Sequence, residues 1–369
     1  MMVMDHIAIL SSLLFNSGKT PQRLESKADG RNLEEALVNL AQFDQADFTS
    51  LVKFASDHHV IVRSLEILRG LVDEKTDDAR MTQVVRTIEK ERTRIAHALR
   101  ILERICDKCE DAGLKIVVIK SLDHWPDLGS DLDLYTNADP ADIAHIMTIC
   151  FRARRIERSV GDRLAGKWNF LVPGLPELVE FHIGRLGQMG EQVQLARRLI
   201  DRAVFARFDR HCFRIPGPED RLMISTLQRM YRHFYFRLCD IADTVALLED
   251  RAFDHSTLRA DAEKAGIWQG AATYLAIVSD YVTTYGGQSL ALPPFVRSSA
   301  QFGGSEVKLR KGFLRVPIVP HSVNLFIAEL ASMTGSKNIS GTLRLSLLPW
   351  LGGAAAVSQK LSGSDKGIW

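Results

Sequence analysis

The hydrophobic pattern changes period at Gly113, and that change limits the fold more than any other feature of the 369 residues. Up to that glycine, apolar residues recur at steps of three and four. Phe48, Leu51, Val52, Phe54 and Ala55 make one such face, with Asp47 placed to cap it. Met81, Val84, Ile88, Ile95, Leu99, Leu102, Cys106 and Cys109 make a longer one. Residues at those steps share one side of a helix, so both segments predict helices with a buried face. Gly113 suits the left-handed residue that closes a helix. Beyond it, residues 114–119 (LKIVVI) form a short, unbroken apolar run rich in β-branched side chains, as a buried strand requires. Residues 131–135 (DLDLY) then alternate strictly, with Leu132 and Leu134 to one side and Asp131, Asp133 and Tyr135 to the other. Strands are expected at 168–172 and 178–183, around the turn dipeptide Pro173-Gly174, and a helix at 141–150 after Pro140.

These periods predict an α+β chain: a small mixed sheet with helical regions before and after it. The expected divisions are a helical region over 1–112, a sheet-bearing core over 113–190, a helical domain over 191–290, and a C-terminal region over 291–369 whose tail from Gly353 is loose. Within the third division, one long helix is expected from Pro218 to about Arg251. Proline has no amide to leave unpaired at a helix start, and Glu219 and Asp220 favour its positive end.

Composition removes several function classes. The net charge is +2, from 47 basic and 45 acidic residues, which argues against coating nucleic acid by bulk electrostatics but permits a local basic groove. The five cysteines suggest no disulfide framework. Cys106 and Cys109 sit one helical turn apart on an apolar face, which reads as buried thiols in a reducing compartment rather than as a zinc site. No run approaches the roughly 20 apolar residues of a spanning helix, and residues 1–15 carry Asp5 and His6. The expectation is a cytoplasmic protein without a membrane partner.

Chemistry concentrates in the acids. Two carboxylates at i and i+2 on a strand leave the same face with Cα atoms about 6.5 to 7 Å apart, close enough to converge on one or two divalent cations. Aspartate is a poor strand former, so Asp131 and Asp133 within five residues need an explanation. Glu180 lies mid-strand between Val179 and Phe181, on the side shared by Leu178 and His182. The three acids suit Mg²⁺, with Mn²⁺ as an alternative and two ions expected during turnover. Solvation of an exposed strand face is the other reading of an Asp-x-Asp.

The arrangement resembles the polymerase-beta-like nucleotidyltransferase superfamily, and within it an uncharacterised bacterial family marked by Leu-Lys-Gly, Asp-x-Asp-Leu and Glu-x-His-Trp. Ile119-Lys120-Ser121, Asp131-Leu132-Asp133-Leu134 and Glu180-Phe181-His182 stand for the three motifs. His233, Phe236-Arg237-Leu238 and Asp240-Ile241 resemble the family's later histidine and Arg-Leu-x-Asp helix, so the similarity spans roughly residues 45–250. Ser121 replaces a glycine, the loop before Asp131 is short and lacks a basic residue, and Ile183 stands where the family prefers tryptophan. The resemblance implies transfer of a nucleoside monophosphate from an NTP to an acceptor, with pyrophosphate leaving. The acceptor could be a small molecule, a protein or RNA. A degenerate member that binds a nucleotide or partner without chemistry is the alternative.

On that resemblance, Asp131, Asp133 and Glu180 hold the metal, and Ser121 with a neighbouring amide holds phosphate. Lys120 either neutralises phosphate or points to solvent. Arg229, His233, Arg237, Asp240 and Asp243 or Thr244 fall on one stripe of the expected long helix. That stripe is either a solvated face or the far wall of a cleft. In the second case Arg237 meets phosphate and Asp240 orients it or activates the acceptor. His182, His233 and Asp240 are the candidate acceptor contacts or bases. Trp125 and Tyr135 either stack on a base or pack, and Arg152, Arg154, Arg155 and Arg158 either guide a polyanion or lie solvated.

Overall fold

The computed structural model describes residues 2–16, 29–71, 79–287 and 289–351. The expected loose tail from Gly353 lies outside them. The chain is α+β, mostly helical, around a five-stranded mixed sheet. In chain order the strands are β1 (Val117–Val118), β2 (Asp131–Thr136), β3 (Arg154–Arg155), β4 (Lys167–Leu171) and β5 (Leu178–Ile183), and their order across the sheet is β1-β2-β5-β4-β3. Only β2 and β5 are parallel. Between them the chain runs through the helix Pro140–Phe151, β3, the helix Val160–Ala165 and β4; Asp139 caps the first helix by accepting the Ala141 amide at 2.7 Å.

Alternation along β2 and β5 decides which face is buried. Leu132, Leu134, Val179 and Phe181 enter a core with Ile95, Leu99, Leu102 and Ile105 of the helix Ala79–Asp111 and with Ile143 and Met147 of Pro140–Phe151. Each such side chain stabilises the fold by about 1.5–3 kcal/mol when fully buried. The polar residues of the same strands are thereby turned to the opposite face. There the sheet meets a second core, to which Val117, Ile119 and Tyr135 belong together with the N-terminal helices and the helix Trp268–Gly286.

Three local expectations need correction. The helix Gln45–Asp57 is capped by Asp44, which accepts the Ala46 and Asp47 amides at 2.8 Å each, and not by Asp47. Residues 204–215 form a hairpin, β6 (Val204–Phe208) and β7 (His211–Ile215), inside the stretch expected to be helical. Its Phe208, Phe213 and Ile215 complete the core under the sheet. The third correction is the largest. The helix beginning at Pro218 ends at Thr226, widens through Leu227–His233, and stops at Phe234, whose φ of 55° is left-handed. Tyr235–Phe236 (β8) is extended, and a new helix runs over Leu238–Glu249.

The cause of that break lies about eighty residues away in sequence. β8 pairs with β10 (Phe313–Arg315), itself hairpinned to β9 (Lys308–Arg310), and the Val316 amide donates to the Phe234 carbonyl at 2.9 Å. His58 secures the junction. Its Nδ1 accepts the Leu238 amide at 3.0 Å and its Nε2 donates to the Gly312 carbonyl at 2.8 Å, a pattern that only the neutral ring satisfies. Arg229, His233, Arg237 and Asp240 therefore do not lie along one helix face.

Burial lowers the His58 pKa to about 4 from 6.5. The unfolded chain thus binds this proton as pH falls below about 6.5 while the folded chain resists until about 4, so stability is lost toward acid. His58→Ala should cost about 1–3 kcal/mol at pH 7, because it orphans a buried amide and carbonyl. It should also flatten the urea-midpoint profile between pH 6.5 and 4. An unchanged slope in the variant would show that His58 is not the group responsible.

Candidate metal centre

Parallel pairing sets Asp133 directly beside Glu180 and Tyr135 beside His182, while Asp131 pairs with Leu178. Asp133, Glu180 and His182 consequently present ligand atoms all within 4.8 Å of one another. Asp131 stands one pleat away on the same face and is exposed, whereas Asp133 is 8% exposed. His182 Nε2 lies 2.7 Å from Glu180 Oε1 and 3.2 Å from Asp133 Oδ1. Three acids so close repel one another, and the pKa of Asp131 registers it. Burial, followed by the charges of Asp133 and Glu180, pushes Asp131 up to about 6.

Two lysines offset that charge. Lys120 forms an ion pair with Asp133 and lies 3.7 Å from Glu180, and Lys167 pairs with Glu180. Burial opposes ionisation of Glu180, yet Lys167, His182 and Lys120 together hold its carboxyl well below the usual range. Burial also lowers the Lys167 ammonium to about 8 against the pull of Glu180, with Arg232 and Lys120 repelling it further. Lys120 reaches Asp133 from a backbone with φ of 60°, an uncommon conformation for a residue bearing a side chain.

Ser121 has a bracing role. Its buried hydroxyl accepts the Asp133 amide at 2.7 Å and donates to the Asp131 carbonyl at 3.1 Å, tying the turn after β1 to the acid-bearing strand. The helical turn that follows covers only Ser121–His124. The serine therefore positions both aspartates through their backbone, and its hydroxyl is already engaged where the resemblance would have it hold phosphate.

Around the acids the chain is cationic. Two adjoining clefts of about 40 and 240 Å³ share Gln188 and Arg232. Lys120 and His182 line the first, Lys167 and His233 the second. Burial and then Arg232, Arg229, Lys120 and Lys167 drive the His233 pKa far below the usual imidazole value, so this ring is neutral at pH 7 and a poor base. Arg232, Gln188 and Lys167 were not apparent from sequence. Lys167 alone left a trace, since K-W-N-F alternates as β2 does and puts Lys167 and Asn169 on the acid face.

The other candidates lie elsewhere. Asp240 is buried, accepts from Arg229 at 2.8 Å and caps its own helix at the Arg237 amide, 2.6 Å away. The Arg237 guanidinium stacks over Tyr235 and Phe313 at 5.6 and 5.9 Å. Tyr135 is fully buried and bonded to Asn137, so its ring presents no face for a base, and the half-buried Trp125 packs T-shaped against Phe208. A second group, His124 with Asp243 Oδ2 at 2.5 Å and Cys239 Sγ at 3.9 Å, joins Arg63 in fastening the turn after β1 to the helix Leu238–Glu249. Cys109 is buried on its helix as expected, and Cys106 is partly so.

Ser121→Ala should lower stability by about 1–3 kcal/mol, because a buried amide and carbonyl lose their shared partner. Urea denaturation checks this, and an unchanged midpoint would mean the hydroxyl does not brace the strand. No helix among the described residues is long and apolar enough to cross a membrane. Compared with known proteins, the chain matches no family model, no curated protein and no solved structure.

Proposed function

We propose that the chain is a divalent-metal-dependent nucleotidyltransferase of the polymerase-beta-like kind. One observation carries the reading: Asp133 and Glu180 stand in register on neighbouring parallel strands, with Asp131 two residues before Asp133 on the same face. The donors fit the metal. Hard Mg²⁺ prefers carboxylate oxygens, and mutually repelling acids gain by sharing a cation. Asp131, Asp133 and Glu180 would hold it, with Mn²⁺ as a substitute. When bound, it would neutralise charge on the phosphates and fix their orientation.

The remaining roles follow from the charges in the clefts. Lys120, Lys167 and Arg232 supply three cations beside the acids, suited to a triphosphate. With a metal on the acids, Lys120 and Lys167 would be released toward phosphate oxygens. The acceptor nucleophile would bond to the α-phosphorus as the bond to the bridging oxygen breaks and pyrophosphate departs. His182, already bonded to both Asp133 and Glu180, orients these carboxylates.

A second reading is favoured by the same lysines. Lys120 on Asp133 and Lys167 on Glu180 also describe a self-neutralised site in a protein that binds a nucleotide or a partner without chemistry. Incubation with α-labelled NTPs, Mg²⁺ and a cell extract separates the two. The transferase reading predicts metal-dependent label on an extract component, and its loss in Asp133→Asn with circular dichroism retained. Nucleotide binding by calorimetry without transferred label would favour the second reading. Silence with every NTP and Mg²⁺ would remove both as nucleotide-binding accounts.

A further inference from the structure

A cleft of about 990 Å³ opens at the carboxyl end of the parallel pair β2–β5. Its walls include Asn137, just past β2, and Gly184 and Arg185, just past β5. Asn137 and Gly184 lie four residues beyond Asp133 and Glu180, or ~13 Å along a strand. Four arginines converge there: Arg158 and Arg163 beside and within the helix Val160–Ala165, Arg185 after β5, and Arg197 on the helix Val193–Arg202. Asp201 is the acid in the lining.

None of the four arginines has an ion-pair partner among the described residues. The contrast within one helix is informative. Arg198 and Arg202 of Val193–Arg202 are held by Asp220 and Asp261 at 2.6 and 2.5 Å, whereas Arg197, turned to the cleft, has no such acid. Like charges crowd the walls. Burial lowers the Arg158 guanidinium from its ordinary value, and against Asp162 the charges of Arg163 and Arg155 lower it further. Arg344 is lowered by burial and by Arg185. Uncompensated cations around a concavity favour an anion.

Shape and composition narrow the anion. Small-molecule sites are mostly apolar and of roughly 300–1,000 Å³. This cleft has the upper volume with an arginine lining, and the cations continue outside it onto Arg154 and Arg155, both exposed on the edge strand β3. The Trp168 ring in its wall carries the guanidinium of Arg158 at 4.5 Å and that of Arg155 at 5.1 Å. A cationic track with an aromatic ring and stacked guanidinium planes is what an unpaired nucleotide chain recognises, phosphates on arginines and bases on flat faces.

We propose that this cleft binds a single-stranded nucleic acid, with Arg163, Arg185 and Arg197 on its phosphates and the Trp168–arginine stack beside its bases. The binding stands on the cleft alone. That the strand is also the acceptor for the neighbouring acids rests on the transferase reading.

Fluorescence anisotropy of a labelled single-stranded RNA with the full chain, without NTP, tests it. The expected result is saturable binding whose log K falls with log salt by about 0.7 per phosphate contacted. Arg163→Glu with Arg197→Glu, both exposed side chains, should weaken binding by about tenfold or more and reduce that slope by about 1.4. Arg197→Gln alone should give a smaller loss in the same direction, which guards against misfolding of the double variant. Tripolyphosphate at equal phosphate should displace the RNA poorly. No binding, binding unchanged in both variants, preference for duplex over single strands, or complete displacement by tripolyphosphate would each overturn the proposal. RNA binding retained in Asp133→Asn supports it. RNA binding alongside silent NTP titrations leaves the cleft standing while the transferase reading falls.

Discussion

The parallel pairing of β2 with β5 places Asp133 against Glu180, and the rest of the site answers that one juxtaposition. Two unit charges at about 4 Å repel by roughly 4 kcal/mol at an effective dielectric of 20. Such a repulsion inside a sheet persists only if cations offset it and if packing elsewhere fixes the register. Leu132, Leu134, Val179 and Phe181 do the second, because a slip of one residue would turn them out of the core and the acids into it. Lys120, Lys167 and His182 do the first.

The offset explains features that look unrelated in the sequence. Lys120 reaches the acids only from an uncommon backbone conformation, and Ser121, next in the chain, holds that turn against the strand at Asp131 and Asp133. His124, on the same turn, is anchored by Asp243 and so by the helix Leu238–Glu249. The start of that helix is set in turn by His58 and by the β8–β10 pairing. The acids therefore depend on contacts spread from residue 58 to residue 315, although the acids themselves occupy a fifty-residue stretch. A metal sharing Asp131, Asp133 and Glu180 would change which partners these lysines hold without requiring the sheet to move.

What the sequence makes legible is local. Alternation in DLDLY and in residues 178–183 gives the strands, the acid face and Glu180 as the third carboxylate, because a period of two depends only on neighbours. The helices Ala79–Asp111 and Pro140–Phe151 are readable for the same reason. The break after His233 is not, since Leu227 through Ile241 keeps apolar residues at helical spacing while β10, far along the chain, pulls Tyr235–Phe236 into a strand. That one non-local pairing dissolves the stripe that would have set Arg237 and Asp240 across from the acids. It leaves Arg232 and His233 at the cleft and sends Asp240 into a buried pair with Arg229. The alternation of K-W-N-F puts Lys167 on the acid face but does not show that it pairs with Glu180, and the bracing role of Ser121 is hidden because a hydroxyl that holds backbone reads like any turn serine. The run Arg152, Arg154, Arg155 and Arg158 announces one side of the basic cleft, whereas Arg163, Arg185 and Arg197 come from separate segments that no run of charge joins.

Asp131, Asp133 and Glu180 are proposed to share a divalent ion. Anomalous scattering from crystals grown with Mn²⁺ and a non-hydrolysable NTP tests it most directly. The expected result is a manganese peak among these three carboxylates, with Lys120 and Lys167 turned from the acids toward the phosphates. A map with both lysines still on Asp133 and Glu180, and the manganese absent from that position at saturating concentration, would contradict it.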